Sequence, residues 1–171
     1  MTATARRLQQ PGPPAALRIN ARHAAQARHV RLHLPAGASL FDALVQPLAR
    51  IGIRHASVTL LGGWLERAQY CVSVPDPAGQ ALLTHGAPLS TGRVGLVTAN
   101  ATLATGVDGR PLVHCHAVLQ APDAPLVGGH LLTPHCLVAA PGLVARVAGF
   151  EGFELRAAFD PETRLPLVQP A

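Results

Sequence analysis

Residues 113–119, Val-His-Cys-His-Ala-Val-Leu, read as a buried or half-buried β-strand. Successive side chains of a strand point to opposite faces, so His114 and His116 share one face and Cys115 takes the other. A Pro122-Asp123 turn follows, and then Gly128-Gly129-His130-Leu131. A chain that returns as the neighbouring strand brings His130 to the face that carries His114 and His116. Glycine allows close backbone approach or positive φ, and Gly128 and Gly129 are read as the device that turns the chain back. Two imidazoles from one strand and a third from a neighbour suit a three-nitrogen metal site with an open fourth position. The same residues also suit histidines satisfied by backbone carbonyls or carboxylates, with no ion between them. The chain has nine histidines, so one H-x-H pair alone is an unspecific signal.

The flanking chain predicts a sheet with little helix. Residues 29–34 alternate, placing Val30, Leu32 and Leu34 inward and His29, Arg31 and His33 outward. Ser39 is a fitting N-cap for a helix over residues 40–51, with Leu40, Leu44, Leu48 and Ile51 at helical spacing. Pro47 is expected to kink or divide that helix, and Gly52 to end it. Further strands are expected over residues 56–61, 69–74, 92–103, 126–132, 136–140, 143–150 and 153–159, with a short edge strand at 17–19. Residues 22–28 and 82–88 carry no clear pattern, and the end from Pro166 reads as an extended arm. Trp64, just after Gly62-Gly63, is either a lid on the core or a subunit-contact residue. Asn100 is either an exposed strand position or a side chain that supports the metal site from outside its ligands. The sum is an α+β fold: a small mixed, largely antiparallel sheet with one main helix. One helix leaves a sheet face uncovered, which favours oligomerisation.

Only 4% of the residues are aromatic, so the core must be aliphatic. No apolar run reaches the eighteen or so residues of a membrane span, and no apolar signal segment follows Arg6-Arg7. With Cys71, Cys115 and Cys136 lacking any C-x-x-C spacing, the chain reads as cytoplasmic with reduced thiols. The basic residues are all arginines, and six of them precede the first acid, Asp42, while eight arginines face nine acids thereafter. The basicity therefore belongs to an N-terminal arm, residues 1–27, ahead of a near-neutral domain, residues 28–168, and a tail, residues 169–171. Binding to a polyanion needs a basic patch. Here it would come from the arm's arginines, Arg6, Arg7, Arg18 and Arg22.

Residues 113–119 together with Gly128-Gly-His-Leu-Leu132 resemble the hallmark of the plants and prokaryotes conserved domain, a candidate DNA-binding family. Weaker matches are Gly62-Gly63, the strand ahead of the motif and Phe159-Asp160-Pro161-Glu162-Thr163; the resemblance spans about residues 28 to 168. It implies a small mixed-sheet fold, assembly as a homotrimer and, as in many prokaryotic members, a metal on His114, His116 and His130. Plant members add an AT-hook with an Arg-Gly-Arg-Pro core. This chain has only Asp108-Gly109-Arg110-Pro111, so at most weak DNA binding is expected.

Three neutral imidazoles with one open place make zinc the first choice among divalent ions. His135 could close the site as a fourth ligand. Alternatively, metal-bound water would serve an enzyme acting on a small molecule. That chemistry asks for a nearby acid or base, and Asp108, Asp123, Glu151 and Glu154 are the acids at hand, none at a compelling spacing. There is no G-x-S-x-G, Walker loop, dinucleotide fingerprint or H-E-x-x-H. The primary expectation is a regulatory or interaction module binding one divalent metal per chain; whether it is an enzyme stays open.

Overall fold

The protein is described by a computed structural model covering residues 8–15, 19–122 and 125–171. Along the chain run β1 (Ala27–Leu34), α1 (Leu40–Arg50), β2 (Ala56–Leu60), β3 (Gly63–Cys71), β4 (Ser73–Pro75), β5 (Leu83–His85) and β6 (Leu89–Thr91). They continue with β7 (Val94–Thr105), β8 (Pro111–Gln120), β9 (Leu126–Leu131), a 3-10 turn (Thr133–His135), β10 (Leu137–Val138), β11 (Leu143–Phe150), β12 (Leu155–Asp160) and β13 (Leu165–Pro170). The main sheet follows the order β1-β11-β2-β7-β8-β9-β3-β10. Because β3 also pairs with β7, the strands β7, β8, β9 and β3 close a ring. Among the described residues every ladder is antiparallel except a single parallel bridge between Arg156 of β12 and Thr105 of β7, so the α+β expectation of a largely antiparallel sheet with one main helix holds.

Burial follows the alternation. Val30 and Leu32 are half-buried and Leu34 is buried, while His29, Arg31 and His33 are exposed. The core is aliphatic, built around Leu44, Leu48, Leu65, Leu119, Leu131 and Leu143, with Tyr70 the buried aromatic among the described residues. Cys71, Cys115 and Cys136 are free and buried.

Ser39 caps α1 by accepting the Asp42 N–H at 3.0 Å. The expected break at Pro47 does not occur, and α1 runs unbroken past it. Leu40, Leu44 and Leu48 are all buried on its inner face. Burying a leucine is worth about 1.5–3 kcal/mol, so three of them outweigh the roughly 3 kcal/mol that an interior proline costs. Ile51, expected to extend that stripe, is instead exposed, and Ile53 enters the core after Gly52 turns the chain at φ 75°.

Other differences concern pairing partners. The strands expected over residues 136–140 and 143–150 do not pair with each other: β10 joins β3, whereas β11 lies between β1 and β2. Residues 82–88, unassigned from sequence, contain β5, which pairs with β4 as a separate two-stranded sheet. The segment from Pro166 is no free arm but lies in β13, paired along its length with β12. Of the N-terminal segment, Gly12 donates to the Glu162 carbonyl and Ala15 to its carboxylate, both at 2.9 Å. Arg6, Arg7, Arg18 and most of the edge strand expected at 17–19 lie outside the described residues; Ile19 is exposed and in no strand.

Candidate metal centre

β8 alternates cleanly: Val113, Cys115, Ala117 and Leu119 are buried and His114, His116 and Val118 are exposed. Its neighbour β9 is in register such that His116 stands opposite His130. The return does not depend on Gly128 and Gly129 as a turn, because both lie inside β9. Their role is close approach. A Cβ on Gly128 would stand 2.0 Å from the Ala117 carbonyl oxygen, and one on Gly129 would stand 2.4 Å from that of Cys71. The two glycines let β9 fit tightly between β8 and β3.

The result is the convergence expected from the sequence. His114, His116 and His130 each offer a ring nitrogen, and these atoms lie within 4.8 Å of one another. Ring centroids are 4.9 Å apart for His114 and His116, 5.0 Å for His114 and His130, and 5.3 Å for His116 and His130. Imidazoles bound through one nitrogen at about 2.05 Å with tetrahedral angles have centroids about 5 Å apart, so the spacing fits a shared ion. A further observation concerns His130 Nδ1, which is buried and has no hydrogen-bond partner among the described residues. A buried polar atom without a partner is costly, and a bound cation would supply what Nδ1 lacks.

Electrostatics favour the ligand form of these rings. Burial, and then the neighbouring His114, His85 and His116, push His130 down to about 4. His114, exposed as a residue but with its ring partly shielded from water among its neighbours, is lowered chiefly by that desolvation, then by His116 and His85. Both imidazoles are therefore neutral at pH 7, as metal ligation requires. The sign for stability follows. Between about pH 6.5 and 4 the unfolded chain takes up a proton at position 130 that the fold refuses, so acidification favours unfolding. Metal-free protein is expected to lose stability steadily from pH 6.5 downward, while changing little on this account above it. Urea midpoints measured at intervals between pH 7.5 and 4.5 check this; a midpoint that held constant or rose on acidification would contradict it.

Cys115 points into the core, and burial pushes its thiol up to about 12, with Cys136 contributing. It is no ligand here. His135, weighed as a fourth ligand, lies on the 3-10 turn and lines a separate recess with Arg67, Gln69 and Thr91. Asn100 is exposed and opposite His116 on β7, where its Oδ1 accepts from the Thr59 hydroxyl at 3.2 Å. Of the acids considered, Asp108 caps its own turn by accepting the Arg110 N–H at 3.0 Å. Glu151 pairs with Arg28 at 2.7 Å and Glu154 with Arg156 at 2.5 Å. Asp123 lies outside the described residues. Among the described residues no carboxylate joins the histidine cluster.

One neighbour went unnoticed in the sequence. His85, at the end of β5, stacks on His130 with centroids 4.7 Å apart and planes at 21°. Beside the cluster opens a cavity of about 1040 Å³, lined by His85, His114 and His130 together with Phe150, Phe153 and Leu167. A second, of about 870 Å³, meets His85, His114 and His116 from the side of Arg164.

The family model of the Plants and Prokaryotes Conserved domain matches residues 21–147. No curated protein is matched by this sequence. Among solved structures, a metal-containing protein from Archaeoglobus fulgidus superposes with a TM-score of 0.69 at 19% identity, covering 89% of this chain and 99% of that one. A plant- and prokaryote-conserved protein from Pyrococcus horikoshii gives a TM-score of 0.66 at 18% identity, covering 86% and 97%. A candidate DNA-binding protein from Ralstonia eutropha gives 0.63 at 20% identity, covering 81% and 88%. At these identities the likeness establishes a shared fold.

Proposed function

The chain belongs to the Plants and Prokaryotes Conserved domain family, and from that premise we propose that it is a homotrimeric metal-binding module with a regulatory or interaction role. One divalent ion per chain, zinc by first choice, is held by His114, His116 and His130. The observation that carries this reading is the convergence of three ring nitrogens within 4.8 Å, one of the rings having a buried nitrogen without a partner. The metal-containing relative of the same fold supports it. Elemental analysis of protein prepared without a histidine tag is expected to give about one divalent ion per chain. A content far below that, after incubation with zinc and removal of the excess, would overturn the reading.

Trimer formation is supported by apolar side chains left in the open around the start of β3. Leu61, Trp64 and Val97 are 43%, 42% and 53% exposed, and exposed apolar surface of this kind commonly marks a contact. Sedimentation should give a trimer at micromolar concentration, and Trp64 emission should shift red on dissociation; a stable monomer contradicts the assignment. No helix among the described residues is long and apolar enough to cross a membrane, and three free thiols suit a reducing cytoplasm.

DNA binding, if carried by this protein, is assigned to the N-terminal arginines and is weak. Arg22 is exposed, its guanidinium donating to Asn20 Oδ1 at 3.3 Å and to the Ala21 carbonyl at 3.2 Å, both neutral partners. Phosphate contacts set the salt dependence of such binding. A form starting at Arg28 is therefore expected to bind a duplex more weakly than the full chain and with a shallower salt slope. An unchanged slope with sequence-dependent binding would assign DNA reading to the domain itself. The second reading, a metal-dependent enzyme for a small molecule, is favoured by the cavity of about 1040 Å³ beside the histidines. Chelation would then abolish turnover while leaving the fold intact.

A further inference from the structure

His85 arrives at the metal centre by a route independent of the β8–β9 pair. β4 follows β3 after Val72 alone, and Ser73 pairs with His85 just as Cys71, two residues earlier, pairs with His130. The line of residues 71 to 73 thus carries both histidines on neighbouring rungs, and their rings stack as a consequence. The hairpin that delivers His85 has a fixed shape. Gly86 donates to the Val72 carbonyl at 2.9 Å, and the Asp76 carboxylate accepts from the amides of Ala78, Gln80 and Ala81 at 3.1, 2.8 and 2.9 Å. His85 is exposed and its ring makes no side-chain hydrogen bond among the described residues; the ring contact it has is the stack on His130. It stands beside the triad rather than within it, and it borders both cavities that open at His114.

We propose that His85 is the fourth protein ligand of the centre: its ring turns from the stack on His130 onto the ion and takes the position that the triad leaves open. The proposal rests on the reading of His114, His116 and His130 as a metal site. The chemistry is a bond from a neutral imidazole lone pair to the divalent ion, displacing a water, with no change of oxidation state. Four nitrogen donors give a closed tetrahedral centre, and closed centres are the mark of structural sites, whereas catalytic zinc keeps a place for water. Ligation by His85 would also tie the β4–β5 hairpin to the main sheet, so that metal loading orders one specific piece of surface. That is the behaviour of a module whose metal shapes an interaction face, and it decides between the two functional readings given above.

The test compares wild type with His85→Ala and His85→Phe, loaded with zinc or with cobalt(II) as a visible probe. Phenylalanine keeps an aromatic ring on His130 but offers no nitrogen. Both variants are expected to bind zinc more weakly by at least the 10–100-fold, roughly, that loss of even an outer partner costs. Both should also shift the cobalt absorption bands away from those of the wild type. Wild-type affinity and spectrum in both variants would overturn the proposal, as would an alanine defect that phenylalanine repairs, which would make His85 a stacking residue only. Failure of the triad reading looks different: wild type itself would bind neither ion, and His116→Ala would behave identically to it. Should either variant not fold, amide exchange in wild type serves instead. Zinc is expected to slow exchange across residues 72–86, and rates there unchanged by zinc would equally overturn the assignment.

Discussion

On the proposed three-histidine site, replacing His116 by alanine is expected to abolish metal binding while leaving the fold intact. The ring is exposed at the surface of β8, so its removal opens no cavity in the core, and far-UV spectra and metal-free urea midpoints should stay near those of wild type. Bound zinc is another matter. Each of the three rings supplies one of the nitrogens that lie within 4.8 Å of one another, and loss of a ligand must cost more than the 10–100-fold, roughly, of an outer partner. Elemental analysis after gel filtration should therefore fall from about one ion per chain to a small fraction. His114→Ala is expected to act alike. His130→Ala carries a second effect, because its buried Nδ1 has no partner; removing it relieves an unsatisfied polar atom, so the metal-free variant should be at least as stable as metal-free wild type. Cys115→Ala provides the contrast. That thiol is buried on the opposite face, so metal content should persist while stability falls by about 1 kcal/mol for a small loss of core volume. Equal metal content in wild type and His116→Ala would sink the assignment.

What could be read from the residues, and what could not, divides by the range of the interaction. The triad was legible because strand alternation is a local rule: His114 and His116 face the same way whatever lies beside them, and a short return places His130 next to them. The end of β1 at Leu34 and both edges of β11 were legible for the same reason, whereas β1 begins at Ala27, inside the stretch 22–28 that carries no clear pattern. His85 was not, since its position depends on Ser73 finding it across the Asp76 turn, and residues 82–88 carry too short an apolar pattern to announce a strand. β13 hid in the same way, although its partner β12 was expected: Pro166 and Pro170 lie within a strand that only its pairing reveals. Pro47 shows a tertiary force overriding a local one, as three buried leucines keep α1 whole. Gly128 and Gly129 do serve close approach, as glycine allows, but they lie within β9 and the turn comes earlier in the chain.

Gly128→Ala is expected to be among the most damaging single changes available. Gly128 sits opposite Val118 in the β8–β9 ladder, and the added Cβ would meet the Ala117 carbonyl oxygen at 2.0 Å and the Ala117 carbonyl carbon at 3.1 Å. Both are backbone atoms of a central strand, so no side-chain rotation relieves the contact. β9 cannot simply retreat, because on its other side Gly129 already stands against the Cys71 carbonyl, where a Cβ would have only 2.4 Å. Forced overpacking of a rigid site costs about 1–3 kcal/mol and occasionally more, and the backbone clash places this change at the upper end. For a chain of this length each kcal/mol lowers the melting temperature by about 2–4 °C, so a fall on the order of 6–12 °C is expected, or loss of soluble protein. The functional consequence is separable from the loss of stability. His130 rides on β9 two residues away, so displacement of that strand moves its ring off the triad, and zinc affinity should drop even in the folded fraction. Gly92→Ala is the matched control, since a Cβ there meets nothing within 4 Å. It should change stability by no more than about 0.5 kcal/mol and leave zinc binding alone. A Gly128→Ala protein that melts with the wild type and binds zinc as tightly would show that β9 is not wedged between β8 and β3, and the centre would need another geometry.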